Sequence, residues 1–193
     1  MPNLSSIYQL KVTISNIRPP IWRRLLLPSN ATFWDLHIAI QDSFGWFDSH
    51  LHEFFIGAIW DWKAIHIKIP HPDDELYPED KEPLDESKTI LSDHLSEKQP
   101  SIGYVYDFGD DWQHRILLEK ILSADPKEVY PQVVAGKRAC PWEDSGGPWG
   151  FEDKIAILKN KKHPDHKEIA EWLFECFDLE NVKNPSIDLS ILK

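Results

Sequence analysis

The sequence has only two cysteines, Cys140 and Cys176, far apart and outside any C-x-x-C pairing. That scarcity excludes a disulfide framework and a thiolate zinc knuckle, and reduced thiols in a cytoplasm fit best. No stretch approaches the roughly 18 consecutive apolar residues of a membrane span. The first fourteen residues lack a basic start and an apolar run and pass directly into polar and apolar alternation, so no signal peptide is expected. Neither a G-x-S-x-G elbow, a G-x-x-x-x-G-K-[ST] loop nor an H-E-x-x-H helix occurs. Common serine-hydrolase, nucleotide-binding and zinc-protease chemistries thereby lose support.

Positive charge is also short. There are 21 Lys plus Arg against 32 Asp plus Glu, a formal net charge of -11. Over most of the surface this repels a phosphate backbone, so general nucleic-acid binding is disfavoured. Much of the excess is local: 73–86 holds eight acidic residues against Lys81 alone, a net of -7. The rest is mildly acidic and leaves room for a small basic patch.

What the chain does have is bulky apolar material, with 9 Trp and 9 Phe in 193 residues. A globule near this length buries roughly 70% of its unfolded surface and needs no staples. The chain reads as a single domain over 1–193. Tyr8, Leu10, Val12 and Ile14 alternate with polar residues as in a strand with one buried face. Pro19 and Pro20 turn the chain into a second strand, Ile21 to Leu27, predicted to pair antiparallel with the first. Thr32 with Asp35 three residues on, then Phe33, Leu36, Ile40 and Phe44, predicts an amphipathic helix stopped by Gly45.

Glu53–Ile59 and Ala64–Ile69 complete a ββαββ order, and Gly103–Phe108 with Trp112–Leu122 form a hairpin around Gly109, Asp110 and Asp111. Between them 70–100, apart from the short apolar piece Ile90, Leu91 and Leu95, is rich in proline and acid and reads as a solvated excursion within the domain. Two helices are expected near the end: a short one over Phe151, Ile155 and Leu158, and a longer one over Ile169, Trp172, Leu173, Cys176 and Phe177. The expected class is α+β, a mixed or mainly antiparallel sheet with a β-grasp-like or roll-like ββαββ core, a packed helix and C-terminal helices.

Four stretches carry a resemblance. They are Pro19–Arg24 (PPIWRR), Leu36-His37 through Gly45-Trp46 to His50-Leu51-His52, Tyr104–Trp112 (YVYDFGDDW) with His114, and Cys140–Gly150 (CPWEDSGGPWG). In this order they resemble the plasmid pRiA4b ORF-3-like family, whose members also travel as passengers of insertion elements. The resemblance covers nearly the whole chain. It implies an α+β fold and a cytoplasmic location, and it supplies no reaction. Trp142 stands where the family usually carries a second proline, and Ser145 where a cysteine or aliphatic residue is common. The second departure removes a cysteine pair around Cys140 as a metal ligand set.

Asp107, Asp110, Asp111 and His114 lie around one turn, where carboxylates and an imidazole could converge on a divalent metal or share a proton. The competing reading has Gly109 and Asp110 building the turn while Asp107 caps backbone amides. Glu143, Asp144 and the glycines after them offer either two acids for a cation or amides for an anion; the acids repel an anion, so the cation or proton-transfer role is favoured. Together the two motifs define candidate catalytic residues Asp107, Asp110, Asp111, His114, Glu143 and Asp144. Metal-ligand candidates are Asp107, Asp110, His114, Glu143, Asp144, His50 and His52.

His50 and His52, one residue apart, and His163 and His166, three apart, have spacings that can chelate zinc, although each pair alone more often packs or caps. Trp22, Arg23 and Arg24 are compatible with anion recognition, with pairing to surplus acids the competing reading. Trp46, Trp60, Trp62 and Trp149 could line an interaction groove. Two functions follow: a non-catalytic binding or adaptor domain for a protein or small-molecule partner, and a metal-assisted hydrolase with an acidic pocket formed by the two motifs. A divalent metal is the one cofactor the sequence leaves open.

Overall fold

In the computed structural model, which describes residues 6–70 and 82–172, the alternation at the start builds β1 (Ile7–Ile14). It pairs antiparallel with β2 (Trp22–Pro28), with Leu10 opposite Leu25. The helix predicted from the Thr32 signal is α1 (Phe33–Phe44). Thr32 accepts from the Asp35 N–H while Asp35 accepts from the Thr32 N–H, and Gly45 closes the far end at φ 75. Such a cap contributes about 1 kcal/mol, and the left-handed stop is available to glycine without the Cβ penalty.

After α1 come β3 (His52–Ile56), β4 (Ile65–Lys68), the short β5 (Leu84–Asp85), α2 (Leu91–His94), β6 (Ser101–Tyr106), β7 (Trp112–Leu122), β8 (Gln132–Lys137), α3 (Gly147–Lys159) and α4 (His166–Trp172). The strands form one eight-stranded sheet in the order β5-β4-β3-β6-β7-β1-β2-β8. Every pairing is antiparallel except β4 with β5. The class is therefore α+β with an open, mainly antiparallel sheet. The ββαββ run is present along the chain, and the β6–β7 hairpin is inserted between its two halves.

One face of the sheet carries the core. Tyr8, Leu10, Val12, Ile14, Leu25, Leu27, Phe54, Tyr104, Tyr106, Trp112 and Ile116 cluster with Phe33, Leu36, Ala39, Ile40 and Phe44 of α1. Burying each large apolar side chain contributes about 1.5–3 kcal/mol, so this face fixes the register of every long strand. On the other face Phe55, Val105 and Ala64 make a small second cluster. Trp22 lies beneath the cations of Lys11 and Arg24, and Arg24 pairs with Glu119 at 2.6 Å.

Elsewhere the structure adds to the sequence reading or does not reach it. Within 70–100 the apolar piece is anchored, with Leu91 and Leu95 fully buried, and Glu86 is unexpectedly buried as well; the Phe33 and Trp34 amides donate to the carbonyls of Thr89 and Glu86. Its acidic stretch over 71–81 lies outside the described residues. Strand β8 was not expected, because Gln132–Lys137 sits among prolines and lacks alternation; pairing with β2 holds it at the sheet edge. The last helix is described only to Trp172, and its expected extension through Leu173, Cys176 and Phe177 lies outside the described residues.

Candidate functional site

The β6–β7 hairpin is closed by the five residues between Tyr106 and Trp112. Asp107 and Asp111 take left-handed backbone, φ 56 and 53, which aspartate tolerates better than most residues. Asp107 Oδ1 accepts from the amides of Gly109 (2.9 Å) and Asp110 (3.3 Å) and so braces the turn, as the structural reading proposed. Asp110 Oδ2 reaches out of the hairpin and accepts from the Gly146 N–H at 3.0 Å. The two motifs therefore meet. The contact is tight: Gly147 adopts φ 67, and a Cβ there would run into the Asp110 carbonyl oxygen.

The loop between α1 and β3 supplies the third wall. Glu143 Oε1 accepts from the Tyr106 hydroxyl at 2.7 Å and from the Phe47 N–H at 2.8 Å, which ties the C-terminal motif to hairpin and loop together. Burial, with the neighbouring Glu143 adding, holds the Tyr106 hydroxyl protonated far above its ordinary range. His50 Nε2 then lies 3.7 Å from Asp107 Oδ2, 3.9 Å from Glu143 Oε2 and 3.4 Å from Asp144 Oδ1. This nitrogen is buried and makes no hydrogen bond. Donor atoms on one tetrahedral zinc, at about 2.1 Å from the ion, are about 3.4 Å apart, and of these residues His50, Asp107 and Asp144 each offer an atom within 4.8 Å of the other two.

The structure thus gathers His50, Asp107, Glu143 and Asp144, with Asp110 clasping their loops. Asp111 turns aside and accepts from Trp60 Nε1 and Gln113 Nε2. His114 is not at this site. Strand alternation places it with Trp112 and Ile116 in the core, where its ring meets Phe44 and Trp46 edge-on at 5.4 Å each. Burial pushes its pKa down to about 3, and it joins neither ligand cluster among the described residues.

Large apolar side chains left in water surround the acids. Phe47 and Trp149 are 82% and 86% exposed. Leu51, Trp60 and Phe108 are also exposed; Trp60 packs on Phe108 at 5.4 Å. Trp62 is exposed as well, whereas Trp46, expected with the other tryptophans, is buried against Phe44 and Tyr106 and donates to the Pro141 carbonyl.

His50 and His52 do not chelate one ion together. His52 enters a separate cluster that the sequence reading missed: it stacks on His37 of α1 with ring centroids 3.4 Å apart and planes 6° apart. Glu86 accepts from or donates to His52 Nε2 at 2.8 Å, and Asp48 contacts His37 Nε2 at 2.9 Å. The signal available beforehand was the helical face of α1, which places His37 beside buried Leu36 and Ile40. His163 accepts from the Asp165 N–H, and with His166 it joins no ligand cluster among the described residues. Arg23 is spent internally, donating to the carbonyls of Ser43, Trp22 and Arg138 and to Cys140 Sγ. No helix of the described residues is long and apolar enough to cross a membrane.

An α+β protein with a hairpin-and-loop acidic cluster is the class these features define. The model of the plasmid pRiA4b ORF-3-like protein family matches residues 6–185, and the chain belongs to that family. It is 32% identical over 170 residues to the uncharacterized protein y4hQ of Sinorhizobium fredii, spanning 88% of this chain and 81% of the relative. The crystal structure of MM3350 from Methanosarcina mazei Go1, a protein of unknown function, matches with a TM-score of 0.83 and 39% identity over 94% of this chain and 96% of that one. Neither relative indicates a catalytic function.

Proposed function

We propose that this protein is a non-catalytic binding or adaptor domain whose acidic, aromatic-rimmed surface takes a cationic segment of a partner protein. The observation that carries the reading is an acidic cluster of His50, Asp107, Glu143 and 76%-exposed Asp144 whose own segments carry exposed aromatics, Phe47, whose N–H donates to Glu143, and Trp149 in the first turn of α3. Exposed aromatics are the side chains that dominate recognition surfaces, and their π faces attract lysine and arginine. Carboxylates supply the complementary charge and disfavour nucleic acid. A cytoplasmic setting suits the reading, since Cys140 is a buried free thiol. Calorimetric titration with a lysine- and arginine-rich peptide tests it. Binding that weakens as salt rises supports it, and equal affinity for an acidic peptide of the same length overturns it.

The orphaned Nε2 of His50 favours a second reading, a metal-assisted hydrolase. His50, Asp107 and Asp144 each offer a ligand atom within 4.8 Å of the others. A divalent ion there would neutralise the acids and lower the pKa of a bound water. Metal uptake abolished by His50→Ala, together with metal-dependent hydrolysis of an ester or phosphoester, would establish this reading over the first.

A further inference from the structure

Beside the acidic site lies a second, more deeply buried cluster of histidines and carboxylates. His37 is fully buried, and the side chains of His52 and Glu86 are 4% and 1% exposed. Glu86 Oε1 has no hydrogen-bond partner, although its other oxygen lies 2.8 Å from His52 Nε2. Asp48, half-open to solvent at 37%, contacts His37 Nε2. Two carboxylates thus face two stacked imidazoles. The two rings lie nearly parallel, with centroids 3.4 Å apart and planes 6° apart. A dication among them would compensate both carboxylates, including the Glu86 oxygen that has no partner.

The surroundings fit ligation. One ligand atom from each of His37, Asp48 and His52 lies within 4.8 Å of the other two. Each imidazole is also held through a ring nitrogen by a polar group: His37 Nδ1 by the Tyr104 hydroxyl at 2.9 Å, which Gln41 supports, and His52 Nε2 by Glu86. Carboxylate or hydroxyl groups on the far nitrogen are the arrangement that orients and strengthens a ligating histidine. We propose that His37, Asp48 and His52 bind a first-row transition-metal dication such as zinc, with Glu86 and Tyr104 orienting the two imidazoles. Binding brings the donors to about 3.4 Å separations, which requires the stacked rings of His37 and His52 to rotate apart, while Asp48 approaches from its exposed loop. The bound ion would pin the segment carrying Glu86 to α1 and β3. This inference is independent of the function proposed above.

The test uses the full chain stripped with chelator and dialysed against zinc, with metal counted by elemental analysis and Co2+ absorption as a second readout. Asp48→Asn, in an open loop, and His37→Gln should each take up one equivalent less than wild type. His50→Ala, which alters the neighbouring acidic cluster, should retain that equivalent. Glu86→Gln should weaken zinc by about 10–100-fold while circular dichroism stays native. Zinc should also raise the wild-type melting temperature and leave that of Asp48→Asn unmoved. The proposal is overturned if the wild type takes up no zinc, or if Asp48→Asn and His37→Gln bind as much as wild type, or if His50→Ala alone removes the ion.

Discussion

Replacing Glu143 by alanine measures how firmly the two motifs are clasped. Glu143 Oε1 accepts from the Tyr106 hydroxyl and the Phe47 amide at 2.7 and 2.8 Å, and its side chain is 11% exposed. Hydrogen bonds to a charged group contribute about 1.5–3 kcal/mol each. The Phe47 amide sits on an exposed residue and recovers water, whereas the buried Tyr106 hydroxyl still accepts from the Ser49 N–H but loses the acceptor for its own proton. The loss should therefore come to about 2–3 kcal/mol rather than the sum of two full bonds. For a chain of this length, about 2–4 °C per kcal/mol puts the fall in melting temperature at about 4–12 °C. Urea unfolding followed through tryptophan fluorescence reads it, since Trp46 stacks on Tyr106 at 4.9 Å. Glu143→Gln keeps an acceptor oxygen and should lose less than half as much. A cost below about 0.5 kcal/mol for the alanine variant would refute the clasp, because that is the size of an ordinary surface change.

His114 supplies a pH prediction. Its folded-state pKa of about 3 lies below the ordinary 6.5, so between those values the unfolded chain binds a proton that the folded chain refuses. Stability should fall as pH drops below 6.5, by up to about 1.4 kcal/mol per pH unit, and His114→Phe should flatten that slope in acid unfolding curves. Cys140, whose thiol burial pushes up to about 12, should resist iodoacetamide at pH 8 in a Cys176→Ser background until the fold is opened, as read by mass spectrometry. Arg23→Met strips donors from the carbonyls of Ser43 and Arg138 and should cost about 2–4 kcal/mol in denaturant unfolding.

How much of this was legible beforehand follows from the range of the interactions. Helix α1 announced itself because Thr32, Asp35 and Gly45 act within a few residues of one another. The β1–β2 and β6–β7 pairs were readable for the same reason, alternation plus a local turn. Period two also foretold His114 in the core, since it shares a face with Trp112 and Ile116; the cluster of acids around it in sequence drew attention from that simpler rule. Strand β8 has no such local signal, and its position depends on β2, about a hundred residues earlier. The stacking of His37 on His52, with Glu86 brought from a proline-rich acidic segment, is a product of packing between α1, β3 and that segment. No spacing rule could have joined those three residues.

The most direct test of the binding reading is a map of where a cationic peptide lands on the folded chain. Two-dimensional 15N nuclear magnetic resonance with a lysine- and arginine-rich peptide should shift the amides of Phe47, His50, Asp144 and Gly146 and the indole N–H of Trp149. Trp149→Ala and Asp144→Asn should each weaken the titration while leaving the melting temperature within a degree or so of wild type, because both side chains are exposed. Shifts confined to the β8 edge or scattered over the surface, undiminished in both variants, would contradict the account.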